Sequence, residues 1–175
     1  MDLVTTLRAD LASLRDSNDG ATASQIMRGA AWRSLALFRL TEAARRHRLT
    51  SPLASILSVL QLSLHGLDIA AGATLGDGVW FAHPVGCVIG PDVAVGARVK
   101  LLGSVTLGNV EGGKHPRQGS PQIESDVVIG AGARILGPVR IGSGASIGAN
   151  AVVTSDVPAG RVAVGIPARL VPEPV

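Results

Sequence analysis

The sequence has almost no aromatic side chains. Of 175 residues, 2% are aromatic: two Trp, two Phe and no Tyr. Rings supply much of the bulk of ordinary cores. Their scarcity predicts a narrow, uniform interior with room only for aliphatics. The single cysteine, Cys87, excludes an internal disulfide. The longest apolar run, Pro52 to Leu64, is too short to span a bilayer and is interrupted by serines. The opening "MDLVTTLRADLASLRD" carries acids and no apolar core segment, so it does not read as a signal peptide, and a soluble cytoplasmic protein is expected. No Lys/Arg run is interleaved with aromatics, and the net charge of +3 is mild, so nucleic acid is not an expected partner. The four histidines are far apart and no Cys cluster exists, so no metal is expected.

What the chain does contain is aliphatic residues and glycine. Hydrophobic residues make up 46% and Gly numbers 22, too much apolar surface for a disordered chain. Residues 1–66 have helical periodicity. Leu3, Leu7, Leu11 and Leu14 form one stripe, and "DSNDG" reads as a stop. A second helix is expected through "ASQIMRGAAWRSLALFRLTEAARRHR", with Ile26, Trp32, Leu35, Phe38 and Leu40 packing and its arginines on a wet face. Thr50 is the expected N-cap of a third helix, with Pro52 in its first turn, ending near Leu64. His47 reads as a solvated helix end and His65 as a C-terminal cap.

From Leu67 the period becomes six. Ile123, Ile129, Ile135, Ile141, Ile147 and Val153 share one register position; Val127, Ala133, Val139, Ala145, Ala151 and Val157 share another. Upstream, Ile69, Leu75 and Phe81 form one register, and Ile89, Val95, Leu101 and Leu107 a second. Neither a helix nor a simple amphipathic strand has this period. Each six can be a short strand and a corner, with Gly, Asn or Asp at the corner. Three sixes close a triangular coil, and coils stack at about 4.8 Å. The pattern predicts a mainly β chain: a β-helix over 67–171 behind the helical region, with a short tail at 172–175. It breaks twice. Two extra residues fall within Ala82–Val88, around a His-Pro, and "GNVEGGKHPRQGSPQ" between Leu107 and Ile123 is too long for a corner and should project. Cys87 stands where an aliphatic is expected and reads as core. Lys100 reads as exposed and Ser120 as a turn residue.

The stretches "LDIAAGATLGDGVWFAHPVGCVIG", "VTLGNVEGGKHP" and "VVIGAGARILGPVRIGSGASIGANAVV" resemble the catalytic part of the serine acetyltransferases, hexapeptide-repeat acyltransferases that use acetyl-CoA. The resemblance covers roughly 67–171 and implies a left-handed parallel β-helix. It also implies catalysis by His83 as general base, held by Asp68. A neutral imidazole that takes the hydroxyl proton during attack on the thioester gives typically 10²–10⁴-fold. The aspartate would fix its tautomer. The same resemblance points to His115 and Lys114 of the projecting loop, and to Asp16 or Asp19, as acceptor-binding residues. It points to the edge at Gly130, Ala131 and Ala149 for the pantetheine arm, and to Arg134, Arg140, Arg161 and Arg169 as candidates for the CoA phosphates. This chain has Ala82 where the family has an acid and Lys114 where it has arginine. In repeat register Ser120, not His115, holds the position of the family histidine. A homotrimer or dimer of trimers is implied, with the active site between subunits. The ending "LVPEPV" lacks the terminal isoleucine through which the family binds its partner enzyme. Two rivals stand beside L-serine acetylation: the same chemistry on a sugar hydroxyl, and a silent assembly protein.

Overall fold

The computed structural model describes residues 3–17, 22–110 and 119–172. Four helices precede the strands: α1 (Leu3–Ser17), α2 (Ala23–Arg28), α3 (Ala30–Arg45) and α4 (Ser51–His65). The expected second helix is two. Gly29 is extended (φ −68°, ψ 148°), ending α2 and opening α3. Thr50 is not a side-chain N-cap; its Oγ1 donates instead to Ala44 O (2.8 Å), back toward α3. Nor is His65 the cap of α4. It is the last, buried residue of that helix, and Gly66 in the left-handed region (φ 59°) closes it, its N–H donating to Leu62 O.

The remainder is a left-handed parallel β-helix with three faces. The first face stacks Asp68–Ile69, Val88–Ile89, Thr106–Gly108, Arg134–Leu136 and Val152–Val153. The second stacks Thr74–Leu75, Ala94–Val95, Gln122–Ile123 and Arg140–Ile141. The third stacks Trp80–Phe81, Lys100–Leu101, Val128–Ile129, Ser146–Ile147 and Val162–Val164, and Arg169–Leu170 turns back antiparallel at its end. In each parallel strand the second residue points inward, and the interior column from Ile69 to Val153 is buried; Leu170 of the reversed strand is exposed. Left-handed backbone makes the corners: Gly78, Arg98, Asp126 and Gly144 in one column, Gly86, Ser104, Gly132 and Asn150 in another. The expectation of a purely aliphatic interior fails at one point. Phe81 is fully buried in the first coil, where α3 packs against its strand and brings Leu35 and Phe38 into the same core.

Each interior coil receives hydrogen bonds from the coil before it; Thr74 N–H donates to Val93 O, and Gly76 N–H to Val95 O. At corners the direction reverses, as where Arg98 N–H donates to Asp77 O. The first coil has no predecessor, so Leu75 O and Gly78 N–H are left over. Arg39 and Asp10 take both. The Arg39 guanidinium donates to Leu75 O (2.7 Å) and Gly76 O (2.6 Å), and Asp10 Oδ1 accepts from Gly78 N–H (2.7 Å). The two side chains also pair with each other, Nε to Oδ2 at 2.9 Å, with Asp10 fully buried. This corrects the expectation of a wet arginine face for Arg39. The pair substitutes for a missing coil.

Arg39→Met keeps the stem and leaves Asp10 buried without a counter-charge. It is expected to lower stability by about 3–5 kcal/mol, read as a lower urea midpoint at unchanged slope. A second expectation concerns His65. Burial, aided by the Arg33 charge, pushes its imidazole pKa below 6.5. The unfolded state therefore takes up the proton first on acidification. The associated stability is intact above 6.5 and is lost as pH falls below it toward the folded value. Thermal melts between about pH 7.5 and 5 should fall less steeply for His65→Gln than for the unaltered chain.

Candidate active site

An ordinary corner between the third and first faces runs from Leu101 through Gly103 and Ser104 to Val105. In the first coil the same step runs from Phe81 to Cys87. The register measures the excess: Asp68 pairs with Val88, twenty positions on, whereas Val88 pairs with Thr106, eighteen on. Gly86 (φ 75°) takes the left-handed position that Ser104 (φ 58°) takes one coil later. Its N–H donates to Gly66 O (2.8 Å), and Ser104 N–H donates to Val85 O (3.2 Å), so both neighbouring coils stay bonded. The extra length is taken up at His83–Val85, where Pro84 is buried and His83 and Val85 are exposed. Cys87 returns to the interior as expected. Its thiol is buried, which pushes the pKa up, and Sγ donates to Leu102 O (3.4 Å).

His83 stands at the head of an edge stripped of side chains. A Cβ on Gly103, one coil on, would lie 3.3 Å from His83 Cβ. Ala131 and Ala149 continue the column, both exposed, and Asn150 N–H donates to Ala131 O (2.8 Å). A Cβ on Gly130 would come within 2.5 Å of Ala149 N, so only glycine lets these coils close. The edge can therefore admit a long thin molecule against the backbone, beginning beside an imidazole.

The other predicted residues divide. Asp68 begins the first face beside the break, its N–H donating to Cys87 O (3.0 Å). It lines a small cavity with Phe38, Thr41, Ser58 and Gln61 of α3 and α4, and no hydrogen bond joins it to His83 among the described residues. Arg134 lies on the first face next to the same edge, its Nη1 donating to Ser104 O (2.9 Å) and Thr106 Oγ1 (3.1 Å). Arg169 pairs with Val164 at the far end of the edge and is exposed. Arg140 is on the second face, held by Glu124; the Ser143 hydroxyl, with Arg140 and the Ser143 N–H, lowers the Glu124 pKa to about 2. Arg161 immediately precedes the strand Val162–Val164, at the opposite corner, and donates to Val171 O (2.9 Å). Asp16 is not brought to the edge in the single chain. It lines a groove of about 570 Å³ between α1 and the second–third corner, with Trp80 and Lys100. Lys100 is half-buried rather than exposed, its Nζ 4.7 Å from the Trp80 ring centroid. Ser120 lies in irregular backbone just ahead of Gln122–Ile123, its hydroxyl donating to Pro91 O (2.7 Å). Asp19, Lys114 and His115 lie outside the described residues. Register gives only the length inserted there: Ala94 pairs with Gln122, twenty-eight positions on, where an ordinary coil takes eighteen.

A three-faced coil with a histidine at its broken edge defines a hexapeptide-repeat transferase, and the bacterial transferase hexapeptide family (six repeats) matches residues 120–155. Comparison with individual proteins is more specific. A serine acetyltransferase from Helicobacter pylori is 38% identical over 138 residues, 79% of each chain. The solved soybean serine acetyltransferase complexed with serine aligns with 97% of this chain and 69% of its own, at 34% identity and a TM-score of 0.85. A solved serine acetyltransferase in complex with CoA aligns over the same shares at 30% identity and a TM-score of 0.84. The chain belongs to the serine acetyltransferase family.

The edge geometry makes one expectation on stability. Gly130→Ala forces a Cβ into backbone and should cost at least about 1–3 kcal/mol. Gly108→Ala meets nothing within 4 Å and should be near neutral. Thermal melts of the two variants side by side read the difference.

Proposed function

We propose that the chain is an acetyl-CoA-dependent O-acetyltransferase that acetylates the hydroxyl of L-serine, with His83 as the general base. The observation that carries this reading is the exposed His83 at the head of the Gly103–Ala131–Ala149 column. The relatives solved with serine and with CoA support the same pair of substrates. His83 takes the proton of the acceptor hydroxyl as its oxygen bonds to the thioester carbonyl carbon. The tetrahedral intermediate then expels CoA as thiolate, which recovers the proton from the imidazolium. Asp68 orients the ring when acceptor and donor are in place. The pantetheine arm follows Ala131 and Ala149, where Gly130 keeps the backbone open, and Arg134 and Arg169 meet the phosphates. His115 and Lys114, with Asp16 or Asp19, hold the acceptor. A trimer built on the prism faces completes the site between subunits. Exposed Val88 on the first face and Val128 and Val162 on the third suit such packing. A sugar hydroxyl is a second reading, favoured by Ala82, which offers no carboxylate to an acceptor amine.

Release of CoA thiol by the purified protein with acetyl-CoA should depend on L-serine and saturate. His83→Ala should lower kcat by about 10²–10⁴-fold, with the folded circular-dichroism spectrum retained. Full turnover in that variant would remove His83 from the reaction. Release with sugars and none with serine would move the acceptor to the second reading.

A further inference from the structure

Helix α4 buries Ala54, Gln61 and His65, and it packs on the strand Asp68–Ile69 that opens the first face. Gln61 is 4% exposed. Its Nε2 donates to Ser34 O (3.1 Å), on α3. Because that carbonyl can only accept, the pairing fixes which end of the amide is nitrogen. The other end, Oε1, is buried and has no hydrogen-bond partner among the described residues. A buried acceptor without a donor is costly.

Gln61 lines the same cavity as Asp68, with Phe38, Thr41, Ser58 and Ile69. The cavity measures about 20 Å³. One water needs about 10–15 Å³, so there is room for one and not two. No side chain on the wall has a proton left for Gln61. Thr41 Oγ1 donates to Leu37 O (2.8 Å). Ser58 Oγ donates to Ala54 O (2.9 Å) and accepts from Arg45 Nη2 (3.0 Å). Phe38 and Ile69 are apolar, and an ionised Asp68 only accepts. The cavity thus joins two acceptors and lacks a donor. Water is the small group that gives two protons in two directions.

We infer that one water occupies this cavity and donates to both Gln61 Oε1 and the Asp68 carboxylate, making Gln61 a positioning residue for the Asp68–His83 pair. This rests on the reading of that pair as the proton-transfer machinery. Asp68 is the outward residue of its strand and is exposed. Among the described residues nothing bonds its carboxylate. An unheld aspartate is a poor guide for an imidazole. A carboxylate has two oxygens, so one held by the water leaves the other for the His83 ring. Helix α4 then sets the aspartate rotamer from a buried amide.

A crystal structure of the chain should show an ordered water about 2.6–3.0 Å from Gln61 Oε1 and from an Asp68 carboxylate oxygen. A dry cavity, or a water reaching only one of the two, overturns the inference whether or not any variant folds. Kinetics test the role. Gln61→Met keeps the side-chain length and removes the acceptor. It should lower kcat for CoA release about 10-fold and leave both KM values unchanged, because Gln61 touches neither substrate. In an Asp68→Ala background the same substitution should leave kcat within about two-fold, since the group it positions is gone. An equal loss in both backgrounds, or none in either, overturns the inference while Asp68 keeps its role. Full kcat in Asp68→Ala alone removes Asp68 from the reaction and the inference with it; His83→Ala then still decides the general base.

Discussion

The structure depends on how its first coil is finished. A stacked coil satisfies its backbone through its neighbours, and the coil at the start of the stack has one neighbour too few. Buried polar backbone groups without partners are costly. Arg39 and Asp10 meet that demand at one corner. The guanidinium stands in for the missing N–H groups and the carboxylate for the missing carbonyl. The same pair ties α1 to α3. The helices are therefore the terminus that lets the stack begin, and their packing and the strand register are a single problem.

Given that beginning, the eighteen-residue coil controls where anything else can happen. Each face holds one inward side chain per strand, and the ladder fixes its neighbours. An extra residue within a strand would turn its side chains over. Additional length must fall between strands, and the register places both excesses there. The two extra residues around His83 fall at the third–first corner, and the ten-residue excess falls in the sequence between the first and second faces. The proposed chemistry sits where the repeat allows an exit, and the glycine and alanine column beneath it keeps the exit unobstructed.

Most of this architecture was legible because hexapeptide periodicity is local. The inward isoleucines, the corner residues, the break at His83 and the core position of Cys87 all follow from counting in sixes. What escaped the sequence depends on contacts between distant segments. Asp10 lies on the same helical stripe as Leu7 and Leu14, and Arg39 adjoins Phe38. Each was a charge on an apolar side, but only the geometry of the first coil gives them something to satisfy. Gly29 splits a helix that periodicity runs together. Lys100 reads as exposed by type and is drawn down by the Trp80 ring. The orientation of α4 could not be read at all, since an uncharged helix of Leu, Val and Ser fits either side inward. His83 was legible as a candidate because it interrupts a pattern; Asp16 was named by resemblance alone, and in the single chain it stands over a different corner.

The far end of the prism is closed differently, by Arg169–Leu170 folding back antiparallel on Val162–Val164. That reversed strand leaves the third face without a parallel strand at its end. The coils between the ends see only their neighbours, and one can be gained or lost as a unit of eighteen residues. Each such step would move Arg169 about 4.8 Å along the axis relative to His83. The number of coils is thus a ruler, and evolution can set the span between the imidazole and the distal arginine in whole strand spacings without redesigning either.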